Sequence, residues 1–242
     1  MSKDLSEIGL PEDQVGLLEG LASTRSIRRY RNESIPEEAL RAMLFAATRA
    51  PSGSNRQPFR FIVLTDGPKA VKAKELIGGA ARNMWASKRT ADGYDKGSGK
   101  SADSPKARMA KTMAHYVDQF ESCPALVLPC LVRYREPTTF EGASIYPAVQ
   151  NLLLAARGLG YGGVLTGFHG AVYDELVALL NVPENTVIAA TVTLGKPVGR
   201  HGPVRRRPLS ELVFEESWGQ SPAWAVDPPG TRYTSAGPPK SS

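Results

Sequence analysis

The sequence predicts one mixed domain of helices and strands around a single core, on three observations. A chain of 242 residues with 41% hydrophobic content can bury a substantial core without disulfides or metal. Apolar residues recur at helical spacing in several stretches, and short apolar or β-branched runs of strand length lie between them. No internal repeat divides the chain. The domain is expected to span residues 1–242, with a core over about 20–210, a loop over about 91–105 and a C-terminal arm over about 210–242.

The elements follow in order. Ser34-Ile35-Pro36-Glu37 reads as a helix start, with Ser34 as N-cap and Glu37 closing a capping box. Leu40, Met43, Leu44 and Ala47 give that helix an apolar face. Phe59 to Thr65 is strand-like, and a helical stretch runs from Pro68 to about Lys88. Ala91 to Pro105 holds Gly, Ser, Asp and Lys with almost no apolar residues, which predicts a mobile loop of the length often used as a lid. A helix near Lys106 to Phe120 precedes the apolar strand Ala125 to Val132. The next helix, about Ala143 to Arg157, is apolar nearly all round and is expected to be central and buried. A short strand at Val164 to Thr166, a helix at Tyr173 to Leu180 and a β-branched strand at Val187 to Leu194 complete the core. The remaining segment is proline-rich but carries Trp218, Trp224 and Tyr233, which suits an arm wrapped on a partner subunit.

Composition narrows the function. The formal net charge of +6 favours an anionic partner. Nucleic acid fits poorly, because the densest basic cluster, Arg200 to Arg207, is interrupted by prolines and glycine and lacks aromatic neighbours. The phosphate of a small cofactor fits better. Cys123 and Cys130 sit in apolar strand-like sequence and read as core, and the three histidines share no metal-ligand spacing with them. The first residues carry no apolar signal region, and the best apolar run, Ala125 to Val132, is short and broken by Pro129. A soluble cytoplasmic protein is expected, with no metal, no nucleic acid and no membrane partner.

Two motifs tempt and fail. Gly158-Leu159-Gly160-Tyr161-Gly162-Gly163 matches the dinucleotide fingerprint by letter, yet a helix precedes it where a strand is required, so a helix cap and turn is the better reading. Gly99-Lys100-Ser101 resembles the end of a phosphate loop, but no strand leads into it and the upstream glycine is out of register. No nucleophile elbow occurs, so no side-chain nucleophile is nominated. An enzyme of this sequence would leave the chemistry to a cofactor.

Three features can surround one ligand. Thr24 to Tyr30 mixes Arg25, Arg28 and Arg29 with the Ser26 hydroxyl, and Arg205 and Arg207 fall on one side of an extended chain; both suit a phosphate. Around Thr166-Gly167 the backbone can approach a ring. Beside these three stands the cradle Pro51-Ser52-Gly53-Ser54-Asn55-Arg56-Gln57-Pro58, where two prolines restrict the backbone and Ser52, Asn55 and Gln57 supply neutral donors and acceptors for a flat polar heterocycle.

Arg25-Ser26-Ile27-Arg28, the cradle, the helix from Tyr146 to Gly160 and the strand ending Thr193-Leu194-Gly195-Lys196-Pro197 together resemble the FMN-dependent nitroreductase family. The resemblance implies an α+β fold: a three-layer α/β/α arrangement with a central, mainly antiparallel sheet, in an intertwined homodimer. It implies that Arg25 and Ser26 hold the FMN phosphate, that Arg28 reaches the pyrimidine edge or the phosphate, and that Arg205 and Arg207 form a second phosphate clamp. Pro51, Ser52, Gly53, Asn55 and Gln57 would line the flavin of the other subunit. Leu165, Thr166 and Gly167 would meet the ring, with the Gly167 amide near flavin N5. The implied activity is ping-pong hydride transfer through N5, from NADPH or NADH to a nitroaromatic or quinone, with no catalytic side chain. Same-fold alternatives are a flavin reductase, an enone reductase, a reductive dehalogenase and a flavin destructase; a basic nucleic-acid binder is the alternative of another class. Thr24 stands where many relatives carry a cation, and Arg29 is a candidate replacement.

Overall fold

The structure is a computed structural model that describes residues 9–234. Its centre is a sheet in strand order β1-β2-β5-β3, with β4 pairing β2 beyond the end of β5. The strands are β1 (Phe59–Leu64), β2 (Ala125–Val132), β3 (Gly162–Thr166), β4 (Thr186–Ile188) and β5 (Thr191–Gly195), and every pairing among them is antiparallel. Among the described residues six α-helices surround them: α1 (Leu17–Ser23), α2 (Glu37–Thr48), α3 (Pro68–Ala91), α4 (Pro105–Asp118), α5 (Tyr146–Gly158) and α6 (Tyr173–Leu180).

The period-two alternation of strand side chains divides the core into two layers. Leu126, Leu128 and Cys130 of β2 pack with Leu64, Ile77, Trp85, Val117, Phe120 and Leu176, on the side of α3, α4 and α6. Ala125 and Val127 point the other way, onto Met43, Ala47, Val149, Leu152 and Ala156 of α2 and α5. Leu131 continues that face with Phe59, Ile145 and Ala148. This is the three-layer α+β arrangement, with each fully buried aliphatic side chain contributing about 1.5–3 kcal/mol. Lys74, 7% exposed, satisfies its ammonium on the carbonyls of Thr65 (2.5 Å) and Cys123 (2.8 Å) and ties α3 to the end of β1 and the start of β2, which are neighbours at one end of the sheet.

Local departures from the sequence reading have physical causes. The strand expected at Val187 to Leu194 is split: between the pairs Cys130↔Ile188 and Val127↔Val192, Leu128 and Pro129 face Ala189, Ala190 and Thr191. That extra residue is a bulge at the proline, which has no N–H for the ladder; the Pro129 carbonyl still accepts from Ala189 N (2.8 Å). The capping box at Ser34 does not form. Pro36 is the N-cap residue, its carbonyl accepts from Leu40 N (3.1 Å), and buried Ile35 anchors the entry. Helix α3 runs to Ala91, and residues 92–104 fold into compact turns in which Tyr94 packs edge-on against Trp85, with ring centroids 5.1 Å apart. Helix α5 buries one face, while Gln150 is exposed and Asn151, Leu154 and Ala155 are half-buried. Its end at Gly158 is a cap and turn: Tyr161 N bonds Ala156 O (2.8 Å) and Gly160 takes φ +78.

Candidate functional site

After α1 the chain straightens and runs flat against the sheet. Ile27 N donates to Gly163 O (3.0 Å), and Tyr30 bridges to Pro197. Two glycines allow this approach: a Cβ at Gly162 would stand 2.5 Å from Ile27 Cγ1, and one at Gly195 2.7 Å from Tyr30 Cδ1. The basic segment is thus fixed along β3 and the end of β5. Thr24 has no free role there, because its hydroxyl donates to Gly20 O (2.6 Å) at the end of α1.

Beyond this line lies a cleft of about 280 Å³ whose lining includes Arg28, Arg29, Asn32, His115, Gln119 and Ser122 and no carboxylate. The Nε atoms of Arg28 and Arg29 are buried and have no hydrogen-bond partner among the described residues. Burial pulls the Arg28 pKa below its ordinary value. Behind it, Thr193 Oγ1 is shared by the hydroxyls of Tyr30 (2.8 Å) and Tyr116 (2.9 Å). Burial pushes both phenols to higher pKa, and the Thr166 side chain is near enough to Tyr116 to oppose that shift slightly. This buried network ties the floor below Arg28 to the end of β3, where Thr166 is half-buried, Leu165 is exposed and Gly167 faces open space.

The second arginine segment returns to the same edge. Val204 N donates to Ala22 O (3.0 Å), and His201 bonds Tyr161 O through Nε2 (3.0 Å). Arg25 and Ser26 are exposed beside it, and Arg25 is near enough to oppose protonation of His201, whose pKa burial already lowers. Arg205 is exposed without a carboxylate partner among the described residues, while Arg207 Nε pairs with Glu211 (2.7 Å).

The cradle lies elsewhere. Gly53 N donates to Ser144 Oγ (3.3 Å) just before α5, whereas Arg157 near the other end of α5 bonds Ser23 Oγ (3.0 Å) beside the arginine segment. The 13 residues of α5 separate the two groups by about 20 Å at 1.5 Å per residue. Within the cradle Ser54, Asn55 and Gln57 take φ of +52, +51 and +49, three left-handed residues without glycine, with Arg56 right-handed between the last two. Such residues cost about 1–3 kcal/mol each and mark functional loops. Ser52 Oγ accepts from Gln57 N (2.9 Å), and Asn55 Oδ1 accepts from Gln57 Nε2 (3.2 Å), so the side chains that hold the turn are those expected to meet a ligand. Pro51, Gly53, Asn55 and Gln57 are exposed and Ser52 is half-buried.

Arg25, Ser26, Arg28, Arg205 and Arg207 therefore belong to the two arginine segments that meet beside the Gly162 end of β3, Leu165, Thr166 and Gly167 stand at the opposite end of that strand, and Pro51, Ser52, Gly53, Asn55 and Gln57 lie by the start of α5. Sequence reasoning missed His115, Tyr116, Gln119 and the inward course of Arg29. The charged and amide positions of α4 read only as a solvated helix face, and the Tyr116 contact with Thr193 spans 77 residues. Cys123 and Cys130 are buried, and burial raises each thiol to about 11. Among the described residues no helix is long and apolar enough to cross a membrane.

These features define a three-layer α+β protein with a carboxylate-free arginine cleft at the edge of an antiparallel sheet. The model of the nitroreductase family matches residues 21–196, and the chain belongs to the nitroreductase family. An Archaeoglobus fulgidus protein whose name pairs NADH dehydrogenase with NAD(P)H nitroreductase is 30% identical over 186 residues, covering 74% of this chain and 84% of that one. The 5,6-dimethylbenzimidazole synthase of Rhodospirillum rubrum is 28% identical over 195 residues, 78% of this chain and 82% of its own. A Desulfovibrio desulfuricans crystal structure in complex with FMN is 27% identical with a TM-score of 0.61, covering 85% of this chain and 99% of that chain.

Proposed function

We propose that this protein is an FMN-dependent NAD(P)H oxidoreductase that reduces nitroaromatic or quinone-type acceptors, and that two chains complete each site. The observation that carries the reading is the half-buried Arg28, whose Nε is buried with no partner among the described residues, in a cleft lined by no carboxylate. An unpaired buried cation is unfavourable unless an electron-rich ligand meets it. FMN fits: Arg25, Ser26, Arg205 and Arg207 would hold its phosphate, Arg28 the N1 and O2 edge, and Leu165, Thr166 and Gly167 the ring. The FMN complex of a relative and the NAD(P)H in the name of another support the assignment.

Bound there, FMN would supply hydride chemistry between the nicotinamide donor and the acceptor. The chain's contribution is binding and electrostatics: a fixed positive charge at Arg28 favours an electron-rich ring. Tyr30, Thr193 and Tyr116 set the floor that keeps Arg28 in place. Pro51, Ser52, Gly53, Asn55 and Gln57 lie about 20 Å from the arginine segment of the same chain by the length of α5, and in this reading they serve the ring held by a second copy. The half-buried apolar face of α5 offers the surface for that pairing.

The test is direct. Purified protein should be yellow, release FMN on denaturation and lose its colour with NAD(P)H; colourless protein that gains no flavin from added FMN would refute the reading. A flavin-fragmenting activity is the second reading, favoured by the dimethylbenzimidazole synthase similarity. It predicts breakdown of the flavin in air where the first predicts turnover of the acceptor.

A further inference from the structure

The turns at 92–104 and helix α4 carry a second set of charges that the flavin reading leaves unused. Of the acids at the start of this region, Asp92 pairs with Lys88 (2.6 Å) and Asp95 with Arg89 (2.7 Å). Lys96, Lys100, Arg108 and Lys111 pair with no carboxylate among the described residues. Arg108, Lys111, His115 and Gln119 are spaced by three, four and four residues, which places them on one face of α4. That face runs into the cleft, because His115 and Gln119 line it. The turns adjoin it as well: Tyr94 lies near enough to Arg28 to act on its charge, and Lys106 sits over the Tyr94 ring at 5.7 Å. Cations of the turns and of α4 thus lie on the same side of the molecule as the cleft that holds Arg28 and Arg29.

Resting on the flavin reading above, we propose that these cations recognise the phosphates of the electron donor and select NADPH over NADH through the 2′-phosphate, with Lys111 and Lys96 as the discriminating ones. A phosphate dianion reaching the exposed end of α4 meets cations that form no ion pair among the described residues, with Asp103 the nearby acid in the turns. NADH carries the same pyrophosphate but lacks that dianion, so the difference between donors reports on the outer cations alone.

The experiment uses the FMN-loaded full-length protein and measures kcat/KM for both donors. Wild type should prefer NADPH, and Lys111→Glu or the Lys96→Glu/Lys111→Glu pair should lower the NADPH-to-NADH ratio by about tenfold or more. Lys111→Arg should restore most of it. Lys69→Glu, the same charge change in the first turn of α3 and about 33 Å along that helix from residue 91, should leave the ratio unchanged. Adenosine 2′,5′-bisphosphate should inhibit wild type better than adenosine 5′-monophosphate and lose that advantage in Lys111→Glu. Wild type that uses NADH as well as NADPH, or a Lys111→Glu loss equal for both donors, would overturn the proposal. Protein that neither holds FMN nor bleaches with either donor would instead defeat the flavin reading.

Discussion

Replacing Arg28 by Met separates the needs of folding from those of binding. The Met side chain keeps an unbranched apolar stem while removing a charge whose Nε is buried without a partner among the described residues. A buried polar group left unsatisfied costs about 1–3 kcal/mol, so flavin-free Arg28→Met should be more stable than flavin-free wild type by about that much. At about 2–4 °C per kcal/mol for a chain of this size, the melting temperature of the flavin-free protein should rise by several degrees. FMN binding should weaken in the same variant by about tenfold or more, because a charge-assisted contact is lost. Thermal unfolding with and without added FMN, followed by circular dichroism, reads both effects at once. Flavin-free Arg28→Met that melts below flavin-free wild type would refute the reasoning and make Arg28 a structural residue.

Further outcomes follow from the same geometry. Gly162→Ala places a Cβ 2.5 Å from Ile27 Cγ1 and should cost about 1–3 kcal/mol in urea unfolding while loosening FMN, because it lifts the basic segment off the sheet. Tyr116→Phe removes the hydroxyl shared with Thr193 and should cost about 1 kcal/mol by the same assay. His201 has its pKa lowered by burial and its Nδ1 is buried without a partner among the described residues, so the unfolded state binds the proton more readily. Stability should therefore be full above the unfolded pKa of about 6.5 and fall as pH drops below it; melting temperatures from pH 7 to 5 should decline less steeply in His201→Gln.

The layers of the fold were legible because strand alternation and helix periodicity are local signals. Leu126 and Leu128 against Ala125 and Val127 already divide β2 into two faces. The arginine segments were legible as composition, and their meeting follows from the single bond of Val204 to Ala22, which no local pattern announces. The left-handed positions of the cradle fall on Ser54, Asn55 and Gln57 and not on its glycine, and the bonds of Gln57 to Ser52 and Asn55 that hold them are not announced by composition. The split of β4 from β5 depends on Pro129 lying opposite it across the sheet, a long-range pairing. The α4 side of the cleft was invisible for the same reason, since charged positions on a helix read as solvated until another segment packs against them.

Subunit complementation tests the central claim, that clamp and cradle from different chains make one FMN site. Arg25→Ala/Arg28→Ala and Ser52→Ala/Asn55→Ala should each bind little flavin alone. Unfolded together and refolded at equal concentration, they should recover about a quarter of wild-type FMN binding, since half of the dimers are then hybrids with one of two sites intact. A mixture that binds no more FMN than the separate variants would contradict the account.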